Sequence, residues 1–254
     1  MNMKMNDQLS SALTTNKLKV IAIILMLVDH FAGIFIPGNT IIYMVLKAAG
    51  RIVAPIFCFL IAEGYHHTSN VKRYFFRLVI FSLISHIPYN LAFSQPLLFP
   101  YTSVIWALTM GLAALAVLKS DKIHIVLKLA ALAACCALAY TANWNFVAVL
   151  WIAGFGLFRG NLKKQIISFC VIGIVCHLTP VCLRLFINNN FNLPWHQFGI
   201  FLAIPFFIAY SGKLGVKSKI MAWSFYIFYP AHLIILYLLH KFTPLAQYME
   251  KLFN

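Results

Sequence analysis

The chain has 254 residues, of which 62% are hydrophobic and only 10% charged, with a mean hydropathy of +0.86. A soluble domain averages about 45–50% apolar and about 25% charged residues, so a water-soluble fold has no way to cover this much apolar surface. The net charge of +15, from 20 Lys+Arg against 5 Asp+Glu, is dispersed over short loops and forms no basic stripe, which argues against nucleic acid and for positively charged loops of a membrane protein.

The apolar runs, taken in chain order, predict an all-α polytopic transmembrane bundle of about nine spans. They lie over Leu18–Ile36, Ile41–Gly64, Phe75–Phe93, Tyr101–Leu118, Ile123–Tyr140, Trp144–Phe158, Gln165–Ile187, His196–Tyr210 and Ile220–His240. At about 20 residues per span these consume roughly 180 residues, and the rest suffices for loops and a polar tail, so 1–254 is expected to be a single integral membrane domain. The first run holds Asp29–His30 and lacks a small-residue cleavage site, so it is expected to be retained rather than removed as a signal peptide.

Charge gives the expected orientation. The tail and alternate loops carry Lys4, Lys17, Lys19, Lys72, Arg73, Arg77, Lys119, Lys122, Lys128, Arg159, Lys163, Lys164, Lys213, Lys217 and Lys219, most of the 20 basic residues. The opposite side carries Lys47, Arg184, Lys241 and Lys251, beside neutral residues such as Asn143, Asn145, Asn189, Asn190 and Asn192. The bias predicts a cytoplasmic N-terminus and an outside C-terminus. The six cysteines, Cys58, Cys135, Cys136, Cys170, Cys176 and Cys182, fall in apolar runs without metal-ligand spacing, so no metal is expected.

Ionisable side chains inside such runs are costly, about 2.5–3.5 kcal/mol each on insertion scales, and persist when paired or functional. Here they are Asp29, His30, Arg51, Glu63, His86, His177 and His232. With 1.5 Å of rise per residue, all but Glu63 fall about 17–20 Å from the inner boundary, which predicts one polar layer. Adjacent helical positions point about 100° apart, so Asp29 and His30 do not pair with each other. Arg51, at matching depth on the next helix, is the expected counter-ion of Asp29. His30 is left facing His86, His177 or His232. The plain alternative is that the histidines and the Asp29–Arg51 pair are interhelical hydrogen-bond glue.

Three segments resemble the TraX family: LKVIAIILMLVDHFAGIF (Leu18–Phe35), RIVAPIFCFLIAEGYHHTSN (Arg51–Asn70) with RYFFRLVIFSLISHIPYNLAF (Arg73–Phe93), and FYIFYPAHLIILYLL (Phe225–Leu239). The "DH" of the first helix, the R-x-x-x-P-x-F of the second and the F-Y-P-x-H-L of the last carry the resemblance. It implies a bacterial inner-membrane acetyltransferase that takes acetyl from cytoplasmic acetyl-CoA. The acceptor would be an amine or hydroxyl, such as the N-terminus of a conjugative pilin. The positions that match the motifs are Asp29, His30, Arg51, Glu63 and His232. On that reading His30 is the base or acyl carrier, with His232 as second choice. Asp29 steadies an imidazolium or holds Arg51, and Arg51 steadies the oxyanion. His66, His67, Lys72 and Arg73 are placed to meet the phosphates of CoA. Two readings of other classes stand beside it: a proton-coupled transporter built on the same buried groups, and a non-enzymatic membrane factor for pilus assembly.

Overall fold

A computed structural model of the chain describes residues 13–97, 101–188, 194–216 and 219–253. Lys4, Lys217, Asn189, Asn190 and Asn192, used above in the charge argument, lie outside the described residues.

Among the described residues every regular element is helical. They are α1 (Thr15–Phe35), α2 (Ile41–Gly50), α3 (Val53–His67), α4 (Val71–Ala92), α5 (Val104–Leu118), α6 (Ile125–Leu138), α7 (Asn145–Leu157) and α8 (Leu162–Ile172). There follow a π segment (Gly173–Leu178), α9 (Thr179–Ile187), a 3₁₀ segment (Trp195–Ala203), α10 (Ile204–Ile208), α11 (Lys219–Phe242) and α12 (Leu245–Phe253). Each predicted apolar run is thus helical, with ends moved by a few residues. Side-chain caps set several of those ends: Thr14 accepts from the Lys17 N–H, Thr40 from Tyr43, Asn70 from Arg73 and Asn161 from Lys164. The amphipathic α12, a C-terminal helix, was not expected.

Among the described residues five helical stretches are long and apolar enough to cross a membrane: Thr15–Phe35, Ile41–His67, Val71–Ala92, Leu162–Ile187 and Trp223–Phe242. Val104–Leu118, Ile125–Leu138, Asn145–Leu157 and Trp195–Ile208 are apolar but shorter. A 15-residue helix such as α5 rises only about 22 Å, short of the roughly 30 Å hydrocarbon core. The surface agrees with lipid as solvent. Ile24, Leu83, Ile87, Val126, Leu127, Leu129, Phe186 and Ile187 are all exposed, and α6 has no buried residue.

Prolines explain the interruptions. Pro55 has no N–H to give the Arg51 carbonyl, and the second predicted span breaks at Arg51–Ile52 into α2 and α3. Pro180 likewise gives nothing to Cys176, and the π segment lies just before it.

The described residues fall into two compact units. Residues up to Ile56 and from Pro194 onward form the first, and residues between Phe57 and Leu193 form the second. In the first unit α1 packs on α2 and on α11, and the 3₁₀ segment packs on α2. Gly199 makes that last contact close, since a Cβ there would run into the backbone of Ala48. The start of α1 is tied to the 209–216 loop by Leu13 N–H to Ala209 O (3.0 Å), Ser211 N–H to Leu13 O (2.8 Å) and Thr15 N–H to Lys213 O (2.9 Å). In the second unit α5 and α7 form the core. Leu108, Leu112, Leu115, Trp151 and Phe155 are buried, and a Cβ at Gly111 or Gly156 would collide with Ile152 or Leu115. Small residues that let helix backbones approach are the usual means of packing where lipid removes the hydrophobic drive.

Candidate functional site

The first unit brings two of the predicted histidines together. His30, on α1, and His232, on α11, are both buried, and His30 Nδ1 lies 2.7 Å from His232 Nε2. The rings are parallel within 6° with centroids 5.0 Å apart, an edge-to-edge arrangement that suits an in-plane hydrogen bond. Three α11 rings enclose the pair. Phe228 stacks on His232 with centroids 4.7 Å apart, Tyr229 meets both imidazoles edge-on, and Phe225 stands 6.1 Å from Tyr229.

The bond partners assign the protons. His232 Nδ1 lies 2.7 Å from the Phe228 carbonyl, which only accepts, so Nδ1 carries the hydrogen and donates. In a neutral pair His232 Nε2 is then the acceptor and His30 Nδ1–H the donor. The remaining nitrogen, His30 Nε2, carries the lone pair. A base oriented by a second group, itself oriented by a third, is the logic of triad catalysis.

Asp29 turns away from His30, as expected, but its counter-ion is different. Lys47 Nζ lies 2.7 Å from Asp29 Oδ1, with side chains 11% and 18% exposed, and Nζ also donates to the Asp29 carbonyl at 3.4 Å. The sequence reading gave this role to Arg51 and counted Lys47 with the outer loops. Lys47 precedes Arg51 by four residues at the end of α2 and comes within bonding distance because Gly50 leaves room for Asp29. A Cβ at Gly50 would collide with that side chain. Arg51, mostly buried, remains in electrostatic contact with Asp29, and the Lys47 charge also reaches His30.

The second unit holds another charged group. Glu63, 6% exposed near the end of α3, accepts from Arg159 Nε at 2.9 Å and from Arg159 Nη2 at 3.3 Å. His67 Nε2 stands 3.2 Å from Arg159 Nη2 and 3.4 Å from Glu63 Oε2. His66 Nε2–H donates to the Gly156 carbonyl at 3.3 Å. Lys72 and Arg73, in the first turn of α4, are exposed. His86 lies 3.0 Å from the Leu97 carbonyl and 3.2 Å from Asn90, and His177 packs on the Trp144 ring at 4.9 Å. Of the three partners left open for His30, His232 is the one it meets.

Sequence reasoning missed Lys47, Arg159 and the Phe228 carbonyl. Lys47 had a signal: a lysine one helical turn before Arg51 inside an apolar run shares its face. Arg159 had none, since its link to Glu63 spans 96 residues.

Apolar helices that expose their side chains while burying a histidine pair, the Lys47–Asp29 pair and the Glu63 carboxylate define a polytopic helical membrane protein with polar sites inside its helix packing. The model of the TraX protein family matches residues 14–240, and the chain belongs to the TraX family. It is similar to a curated relative from Dichelobacter nodosus named "Probable fimbrial assembly protein FimC", at 28% identity over 228 residues, covering 87% of this chain and 93% of that protein. No solved structure matches the chain.

Proposed function

We propose that this chain is a membrane-embedded acetyltransferase that moves an acetyl group from cytoplasmic acetyl-CoA to an amine or hydroxyl acceptor, with a pilus or fimbrial subunit as the preferred acceptor. The observation that carries the reading is the relay from the Phe228 carbonyl through His232 to His30 Nε2. The relative named for fimbrial assembly supports the choice of acceptor.

In the proposed step His30 Nε2 takes the proton of the acceptor N–H or O–H as that atom attacks the thioester carbonyl. The tetrahedral intermediate expels the CoA thiolate, which takes the proton back from His30. The products are the acetylated acceptor and CoA. The relay fixes the tautomer that makes Nε2 the base. Asp29 is held by Lys47, and Arg51 beside them supplies positive charge for the oxyanion. Glu63 serves as a positioning group for Arg159 rather than as an acid or base. His66 and His67 stand at the end of α3 for the donor's phosphates, and Lys72 and Arg73 add charge at the start of α4.

The proposal includes nine crossings, with the shorter apolar helices as tilted or partial spans, the N-terminus in the cytoplasm, the C-terminus outside, and the bacterial inner membrane as the location. The basic residues on alternate loops support it. The test is mass spectrometry of envelope proteins and glycans from cells with and without this protein. Loss of an acetyl group from one defined acceptor supports the reading. An unchanged acetylation pattern, with fimbriation impaired, favours a non-enzymatic assembly factor.

A further inference from the structure

Around the buried Glu63 the second unit gathers more positive charge than the carboxylate neutralises. Arg159 takes the carboxylate with its Nε–Nη2 edge, and two-point contact fixes the plane of the guanidinium. The Nη1 side is thereby turned away from Glu63, and the Arg159 side chain remains 38% exposed. His67, 54% exposed, touches the same guanidinium. Lys119, capping α5, acts electrostatically on His66 together with Arg159.

The chain after Arg159 adds to this field. Gly160, at φ 89°, turns it into α8, whose first turn carries Lys163 and Lys164. Lysines at a helix N-terminus oppose the helix dipole, so this arrangement costs stability unless an anion answers it. A structural ion pair alone would need Glu63 and Arg159 and none of the other five groups, His66, His67, Lys119, Lys163 and Lys164.

We infer that Arg159, oriented by Glu63 and flanked by His66, His67 and Lys119, is the principal contact for a phosphate group of a soluble nucleotide-bearing ligand. The inference rests on the acetyl-CoA reading above and deepens it. It adds Arg159 and Lys119 to the residues that meet the donor's phosphates. Arg159 and Lys119 set two cations against the one carboxylate, and with the His67 Nδ1–H they suit a phosphate monoester dianion better than a carboxylate, because they supply several charge-assisted bonds to three oxygens.

The test uses the full chain in nanodiscs of neutral phosphatidylcholine, with adenosine 3′,5′-bisphosphate as the calorimetric probe and adenosine as its phosphate-free control. The expected result is saturable binding of the bisphosphate and none of adenosine. Arg159→Met weakens binding roughly tenfold or more, the size of one lost charge-assisted contact. Because Arg159→Met leaves Glu63 buried without its guanidinium, Lys119→Gln serves as a second variant that leaves the ion pair intact, and it weakens binding by roughly threefold to tenfold. Lys241→Gln, an exposed lysine near the end of α11, leaves binding unchanged. The inference is overturned by absence of bisphosphate binding, by equal binding of adenosine, or by unchanged affinity in Lys119→Gln and Arg159→Met. It is also overturned if anionic phosphatidylglycerol nanodiscs abolish the binding, since the cluster then serves lipid headgroups. Bisphosphate binding is read without acetyl transfer, so its failure and that of the acetyltransferase reading are separately visible.

Discussion

Replacing Lys47 with methionine keeps the length and apolar stem of the side chain and removes the cation 2.7 Å from Asp29. Breaking a fully buried pair costs about 3–5 kcal/mol, since the surviving charge keeps its desolvation penalty. Two features place this site below that range. The Asp29 side chain is still 18% exposed, and Arg51 continues to act on the same carboxylate. The expected loss is therefore about 2–3 kcal/mol, the lower edge of the buried-pair range. For a chain of this size each kcal/mol moves the unfolding midpoint by about 2–4 °C, so the shift should be about 5–10 °C. The assay is thermal unfolding in detergent of wild type, Lys47→Met, Asp29→Asn and the double variant. The cycle should return a coupling of about 1–3 kcal/mol. Exposed Lys241→Met is the control and should stay within about 0.5 kcal/mol of wild type. A Lys47→Met protein that melts with the wild type, or an Arg51→Met protein that loses more, would refute the pairing and restore Arg51 as the counter-ion of Asp29.

Gly199→Ala should destabilise by about 1–3 kcal/mol through overpacking, and more than Gly50→Ala, because its Cβ meets the Ala48 backbone whereas that of Gly50 meets a side chain. Both are read from unfolding midpoints, and equal effects would contradict the packing described. Glu63→Gln should lower the midpoint by the equivalent of about 1–3 kcal/mol, since it removes a charge-assisted double contact and leaves Arg159 without its carboxylate. Nitrogen-15 resonances of labelled histidine should show His30 and His232 both protonated on Nδ1 when neutral, and an Nε2-protonated His30 would break the relay.

Helix identity was legible because hydrophobicity alone decides it in lipid, and the apolar runs are helical to within a few residues of their predicted ends. What the runs hid was interruption. Pro55 and Pro180 break a hydrogen-bond ladder locally without changing hydropathy, so the second span reads as continuous although it breaks at Arg51. Asp29, His30 and His232 were legible because ionisable groups stand out against an apolar background. Their partners were less so. A helical lysine near a span end reads as a loop charge, and it took the bare backbone at Gly50 to bring Lys47 to Asp29. The Phe228 carbonyl that fixes the His232 tautomer has no sequence signature, because every residue has a carbonyl.

The central claim is that His30 Nε2, set by His232, performs acetyl transfer. It is tested most directly with purified protein, labelled acetyl-CoA and a candidate acceptor, by comparing wild type with His30→Ala, His232→Ala and the double variant. The account predicts transfer by wild type, loss in His30→Ala, a smaller loss in His232→Ala, and no additional loss in the double variant, since the two act as one unit. Full transfer by His30→Ala would contradict it.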